Sequence, residues 1–234
     1  MTWIHPGWRD DGEYCIRAAC GAKGVERVQA GDCASAACRI KRAIRAIVRW
    51  NRSDETHFLC RTCRRCRKRR VVLRPDFNWW VARDREIWHE SSGVFVRNPD
   101  GRFLFFKRTI FPARALTVPS GHVDAEETPH EAAVRELAEE VTGLPDIPAD
   151  AIVHVATEDI SGDSCRRGSD AHRWHAFLVR LDTPIKLENL CVRGEGKNPV
   201  LLSLRRARWR RLIFPVRYVI RRHTARLKRL KRSR

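Results

Sequence analysis

Residues 120–144 read SGHVDAEETPHEAAVRELAEEVTGL. Thr128 is placed as a helix N-cap, with Glu131 three residues on as its reciprocal partner. Pro129 falls at the first helical position, where its missing N–H costs nothing. Gly143 is placed to end the helix, so the spacing predicts a helix over about 129–142. Val134, Leu137 and Val141 share one face, suited to packing on a sheet. Glu136, Glu139 and Glu140 are related by i, i+3 and i+4 and form a second stripe. The chain has a formal net charge of +19, yet seven acidic residues gather in this stretch.

Like charges at that spacing repel by roughly 0.2–0.5 kcal/mol per exposed pair. A solvated acidic face would tolerate that cost. The flanks point elsewhere: Gly121 stands upstream, Glu127 precedes the cap, and Arg135 adjoins the glutamates. Hard divalent cations prefer carboxylate oxygens and bind substrate phosphates at the same time. A carboxylate cluster on a rigid helix behind a glycine-containing loop suits such an ion.

Outward from the helix, SGVFVRNPDGRFLFFKR reads as a hairpin, with Asn98-Pro99-Asp100-Gly101 as its turn. AIVHVATEDI and RWHAFLVRL alternate in the strand manner, and NPVLLSLRRARW reads as a short strand that becomes a helix near Ser203. The order predicts an α/β (α+β) domain with helices packed on a mixed sheet.

The stretch resembles the Nudix box, G-x5-E-x7-R-E-U-x-E-E-x-G-U, where U is a bulky aliphatic residue. Gly121, Glu127, Arg135, Glu136, Leu137, Glu139 and Glu140 fall at its spacings. The chain departs from it at EEVTGL, with one extra residue between Glu140 and Gly143, which is expected to lengthen the helix end slightly. GEGKNPVLLSLRRA resembles the last strand and helix of that family. The resemblance implies a Nudix-like α/β/α sandwich over 88–215. It also implies hydrolysis of a nucleoside diphosphate linked to another moiety, by a metal-activated water. By that resemblance Glu136, Glu139, Glu140 and the Ser120 carbonyl would hold Mg²⁺ or Mn²⁺, while Arg135 and Glu127 would pair to brace the loop. Glu136 and Glu140 join the catalytic set, with Glu195 as the loop candidate for general base and Glu158 and Glu188 behind it. The identity of the second moiety stays open. His172, Trp174 and His175 are candidates for touching a base, or simply alternate on a strand. Lys107 and Arg108 are candidates for meeting phosphates, or are surface charges.

Residues 1–75 hold seven of the nine cysteines, and their spacing suggests a metal module. Cys15, Cys20, Cys33 and Cys38 suit one tetrahedral Zn²⁺ site; His57, Cys60, Cys63 and Cys66 suit a second, or lend ligands to the first. An iron–sulfur cluster would also use C-x2-C-x2-C, although no fourth cysteine follows at its spacing; it and ordinary reduced or buried cysteines are the alternatives to zinc. RIKRAIRAIVRW between the groups has helical apolar spacing with a basic opposite face. The module therefore reads as a nucleic-acid-binding element or as a cap packed on the hydrolase.

The third part, 216–234, continues a basic run without acidic residues. Just before and within it, Trp209, Leu212, Ile213, Val216, Val219 and Ile220 recur at helical intervals, and Pro215 suggests a kink or restart. Such a helix binds nucleic acid or, as a second choice, an anionic membrane surface, unless its apolar stripe packs on the domain. No apolar run reaches the length of a membrane span, and the first residues lack a secretory pattern, so a cytoplasmic protein is expected. Two function classes follow: a Nudix pyrophosphohydrolase, or a nucleic-acid-binding zinc protein that uses the Nudix fold for recognition, for example of RNA 5′ ends.

Overall fold

The structure is a computed structural model. It describes residues 25–29, 56–60, 65–67, 78–81, 87–110, 114–163, 165, 169, 171–194 and 196–229. The chain divides into two compact units: residues 1–88 with 164–171, and residues 89–163 with 172–234.

In the first unit, β1 (Val25–Gln29), β2 (Thr56–Cys60) and β3 (Arg65–Arg67) form an antiparallel sheet in the order β1–β2–β3. Val28 pairs with His57 and Leu59 with Cys66. His57 and Cys60 thus lie on β2, and Cys66 on β3. Cys15, Cys20, Cys33, Cys38 and Cys63 lie outside the described residues, as does the helix read over 39–50. A further strand, β4 (Trp79–Val81), carries Trp80, which stacks on Trp88 with ring centroids 5.9 Å apart.

The second unit is built on β5 (Ile87–Arg97), β6 (Phe103–Arg108), β10 (Val153–Ile160), β11 (Ala171–Arg180) and β13 (Gly196–Leu202). The sheet order is β10–β11–β5–β6–β13, with β7 (Leu116–Thr117) on β6 and β8 (Ser120–His122) on β5. The β5–β6 hairpin closes at Asn98–Gly101, where Gly101 adopts φ +82°, a left-handed conformation that favours glycine. Contacts between β5 and β11 advance together along both strands. His172 lies beside His89, Trp174 packs on Phe95, and the Leu181 N–H donates to the Arg97 carbonyl. β11 therefore runs parallel to β5, and the sheet is mixed.

Alternation on the central strands makes two cores, one on each face of the sheet. Phe95, Phe103 and Phe105 face one side with Trp174; Val94, Val96, Leu104 and Phe106 face the other. Helix α1 (Pro129–Glu140) covers the second side through Ala133 and Leu137. Helices α2 (Leu204–Ala207) and α3 (Phe214–Arg229) cover the first through Leu204, Ala207, Val216, Val219, Ile220 and Leu227. The result is an α/β/α sandwich. Ser203 caps α2 by accepting from the Arg206 N–H, at the residue where the sequence pattern switches from strand to helix.

Two expectations need correction. The first helix stops at Glu140, two residues short of the predicted end. Val141 and Thr142 instead form β9 (Val141–Thr142), which pairs antiparallel with β12 (Cys191–Val192). The extra residue of EEVTGL is thus taken up in extended chain, not in helix. Gly143 still makes the reversal that follows, at φ +88°, where a Cβ would lie 2.0 Å from the Asn189 carbonyl oxygen.

Of the two alternatives at Pro215 the restart is found: α2 has ended at Ala207, α3 begins at Phe214, and a proline in that first turn has no intrahelical acceptor to forfeit. The departure from helical geometry comes at His223 (φ −115°, ψ 18°). The second correction is Trp209, which does not join the apolar stripe and is 87% exposed. It follows the end of α2, so helical periodicity does not carry through it.

Leu212, Ile213, Val216, Val219 and Ile220 are buried in the core. The apolar stripe of the basic segment therefore packs on the sheet, while Arg221, Arg222, Arg226, Lys228 and Arg229 are exposed. Ile220→Ala is expected to cost about 2–5 kcal/mol, the range for truncating a buried aliphatic side chain. The loss would appear as a lower chemical-denaturation midpoint. An unchanged midpoint would mean that this helix is not part of the folded core.

Candidate metal and catalytic site

The site begins with the helix cap. Thr128 accepts from the Glu131 N–H, and the Thr128 N–H donates to Glu131 Oε2 at 2.8 Å, which completes a capping box. The Ser92 hydroxyl on β5 donates to the Pro129 carbonyl at 2.6 Å and pins the helix start to the sheet. Leu137 is buried below, so helical geometry leaves Glu136, Glu139 and Glu140 on the adjoining stripe.

Arg135 organises the carboxylates. Its Nε and Nη2 donate to Glu127 Oε1 and Oε2 at 2.8 and 2.9 Å, a bidentate pair. Nη1 donates to Glu136 Oε1 at 2.8 Å and lies 3.5 Å from Glu139 Oε2. Nη2 also donates to the His122 carbonyl at 3.0 Å, joining helix to loop, and an ion pair to Asp124 follows at 3.6 Å. The Arg135 hydrogen bonds hold Glu127 below the usual carboxylate range, and the same contacts raise Arg135 further. Burial pushes Glu136 up, against the opposing pull of Arg135, and its side chain is only 13% exposed.

The loop side is equally close. The Ser120 N–H donates to Glu140 Oε2 at 2.8 Å. A Cβ on Gly121 would fall 1.9 Å from Glu136 Oε1, so the missing side chain is what admits that carboxylate. Ser120, Gly121, Glu127, Arg135, Glu136, Glu139 and Glu140 thus form one connected group. The donor set is carboxylate-rich and mounted on rigid elements, which fits a hard divalent cation.

The family model of the NUDIX domain matches residues 88–213. The chain belongs to the Nudix family. An uncharacterised Nudix hydrolase, orf19, of Rhodococcus erythropolis is 32% identical over 106 residues, which are 42% of this chain and 56% of that protein. An RNA pyrophosphohydrolase of Halorhodospira halophila is 45% identical over 74 residues, 32% of this chain and 38% of the relative. The Nudix chain therefore spans about half or less of the length of these curated relatives. Among solved structures, a MutT protein from Methanosarcina mazei Go1 aligns over 61% of this chain and 96% of its own, with 19% identity and a TM-score of 0.48.

The other candidates fall elsewhere. Glu195 lies outside the described residues. Glu158, on β10, is engaged by His223 and Arg222 of α3. Glu188 is exposed in a short 3-10 turn. Trp174 is a core residue against Phe95 and Gly93, so it is not available to stack on a base. His175 bonds to Glu90 at 2.7 Å and to Thr157 at 2.9 Å. Lys107 and Arg108 end β6 opposite Lys197 and Gly196. Sequence reasoning missed the support from Ser92 and Asp124. Ser92 sits far from the box in sequence, and Asp124 is an unmarked position within it.

Proposed function

We propose that this Nudix chain is a pyrophosphohydrolase that cleaves a nucleoside diphosphate linked to another moiety. The observation that carries this reading is the half-buried Glu136 carboxylate, seated over Gly121 and joined through Arg135 to Glu127 and Glu139. Glu136, Glu139 and Glu140, with the Ser120 carbonyl, would hold Mg²⁺ or Mn²⁺. When bound, such a cation masks phosphate charge and lowers the pKa of an attacking water. The residues of the chain do the positioning. The Ser120 N–H fixes Glu140 Oε2, and Arg135 fixes Glu136 and the loop. The water oxygen bonds to phosphorus, the bridging P–O bond breaks, and the leaving phosphate keeps the bridging oxygen and its electron pair. The water's proton passes to a carboxylate, for which Glu136, Glu140 and Glu195 are the candidates.

A second reading takes a 5′-phosphorylated RNA end as the substrate. Its support is the similarity to RNA pyrophosphohydrolases of Halorhodospira halophila and Gluconobacter oxydans, and the exposed arginines and lysine of α3. From its cysteine spacing, the segment 1–75 would hold structural Zn²⁺, and its basic residues, together with the solvent-exposed arginines and lysine of α3 whose apolar stripe is packed on the sheet, would contact nucleic acid. The test is a panel of nucleoside diphosphate derivatives and a 5′-triphosphorylated oligoribonucleotide, each with Mg²⁺ or Mn²⁺. Cleavage of a diphosphate bond in at least one nucleotide is expected. RNA left intact while free nucleotides are cleaved removes the second reading, and a folded protein inert on the whole panel removes both.

A further inference from the structure

We propose that His89, His122 and His172 form a site for a transition-metal dication such as Zn²⁺, separate in chemistry from the carboxylate site. All three lie within the second unit, on three strands of one sheet: β5, β8 and β11. Their ring centroids form a triangle with sides of 5.1, 5.6 and 5.8 Å. Each offers a ring nitrogen, and these nitrogens lie within 4.8 Å of one another. Zn–N bonds of about 2.0–2.1 Å require only a modest inward turn of rings already gathered to that extent.

The surroundings favour a ligand role over plain packing. His89 is fully buried and His172 is 6% exposed, and the Nε2 atoms of His89 and His122 are both buried. His172 Nδ1 is held by Asp163, 2.7 Å from its carbonyl and 3.0 Å from its carboxylate. With Nδ1 on Asp163, Nε2 would be the His172 atom that binds a metal. A metal-bound imidazole characteristically donates its other N–H to a carboxylate or carbonyl, which fixes the tautomer and raises basicity. Imidazole donors suit Zn²⁺, Cu²⁺ or Ni²⁺, whereas Mg²⁺ prefers oxygen. Three histidines leave a fourth position for water or another ligand.

The position has a consequence for the box. The His122 carbonyl accepts from Arg135, and Gly121 precedes it under the Glu136 carboxylate. A metal on His122 would tie the loop at this point to β5 and β11. The inference does not depend on the pyrophosphohydrolase reading.

The test uses the full chain, stripped with a chelator and titrated with Zn²⁺, and compares wild type with the His89→Gln/His172→Gln double variant. The wild type is expected to take up one more equivalent than the variant, whatever the cysteine-rich segment binds. Asp163→Asn should weaken that equivalent by about 10–100-fold without removing it. Equal stoichiometry and affinity in wild type and a folded double variant would overturn the proposal. If the double variant does not fold, histidine ring ¹⁵N spectra of the wild type decide. Zn²⁺, and not Mg²⁺, should shift three histidines together, and the proposal fails if His89, His122 and His172 do not move.

Discussion

Glu140→Gln is expected to lower diphosphate hydrolysis at least about a hundredfold while leaving the fold in place. The reason is a separation of two roles in one side chain. Glu140 Oε2 accepts the Ser120 N–H at 2.8 Å, and the glutamine carbonyl can still accept it. Helix position and loop position are therefore kept, and stability should change by less than about 1.5 kcal/mol, the scale of one net hydrogen bond. The negative charge is what disappears, and with it a cation ligand and a candidate proton acceptor. Steady-state kinetics beside thermal unfolding separate the two roles. Near-normal turnover in the variant would take Glu140 out of the reaction.

Gly121→Ala should produce a similar loss of activity by a different route. The new methyl group would meet Glu136 Oε1 at 1.9 Å and its Cδ at 2.2 Å. The obstacle is the end of a side chain and not backbone, so the protein relieves the clash by turning Glu136 aside. An off-rotamer side chain costs about 0.5–1.5 kcal/mol, which the fold can absorb. The active geometry is less tolerant, because a misplacement of about 1 Å can cost a factor on the order of 100. The expected signature is a large fall in kcat with a small fall in Tm. A large fall in Tm with normal kcat would mean that Gly121 serves folding alone.

Much of this architecture was legible from local chemistry. Thr128, Pro129 and Glu131 announce the helix start because capping is a contact between near neighbours. Asn98–Gly101 announces the hairpin for the same reason, and Ser203 the strand-to-helix switch. What escaped the sequence depends on partners distant in the chain. The helix end at Glu140 is set by pairing of Val141 and Thr142 with Cys191 and Val192. Trp209 shares the apolar character of Leu212 and Ile213 yet is exposed, because the chain leaves α2 before it. The three histidines come from three strands with no sequence spacing to announce them, and only the sheet order brings them together. Even in the box, the resemblance implied the Arg135–Glu127 pair but not that Arg135 also bonds Glu136 and reaches Glu139.

The central claim is that the carboxylates of α1 hold a hard divalent cation. Calorimetric titration of Mg²⁺ into the full chain, wild type against Glu139→Gln/Glu140→Gln, tests it most directly, because Mg²⁺ avoids histidine and cysteine donors. Uptake by the wild type and binding at least about tenfold weaker in a folded variant is the predicted result. Equal Mg²⁺ affinity in the two proteins would contradict it.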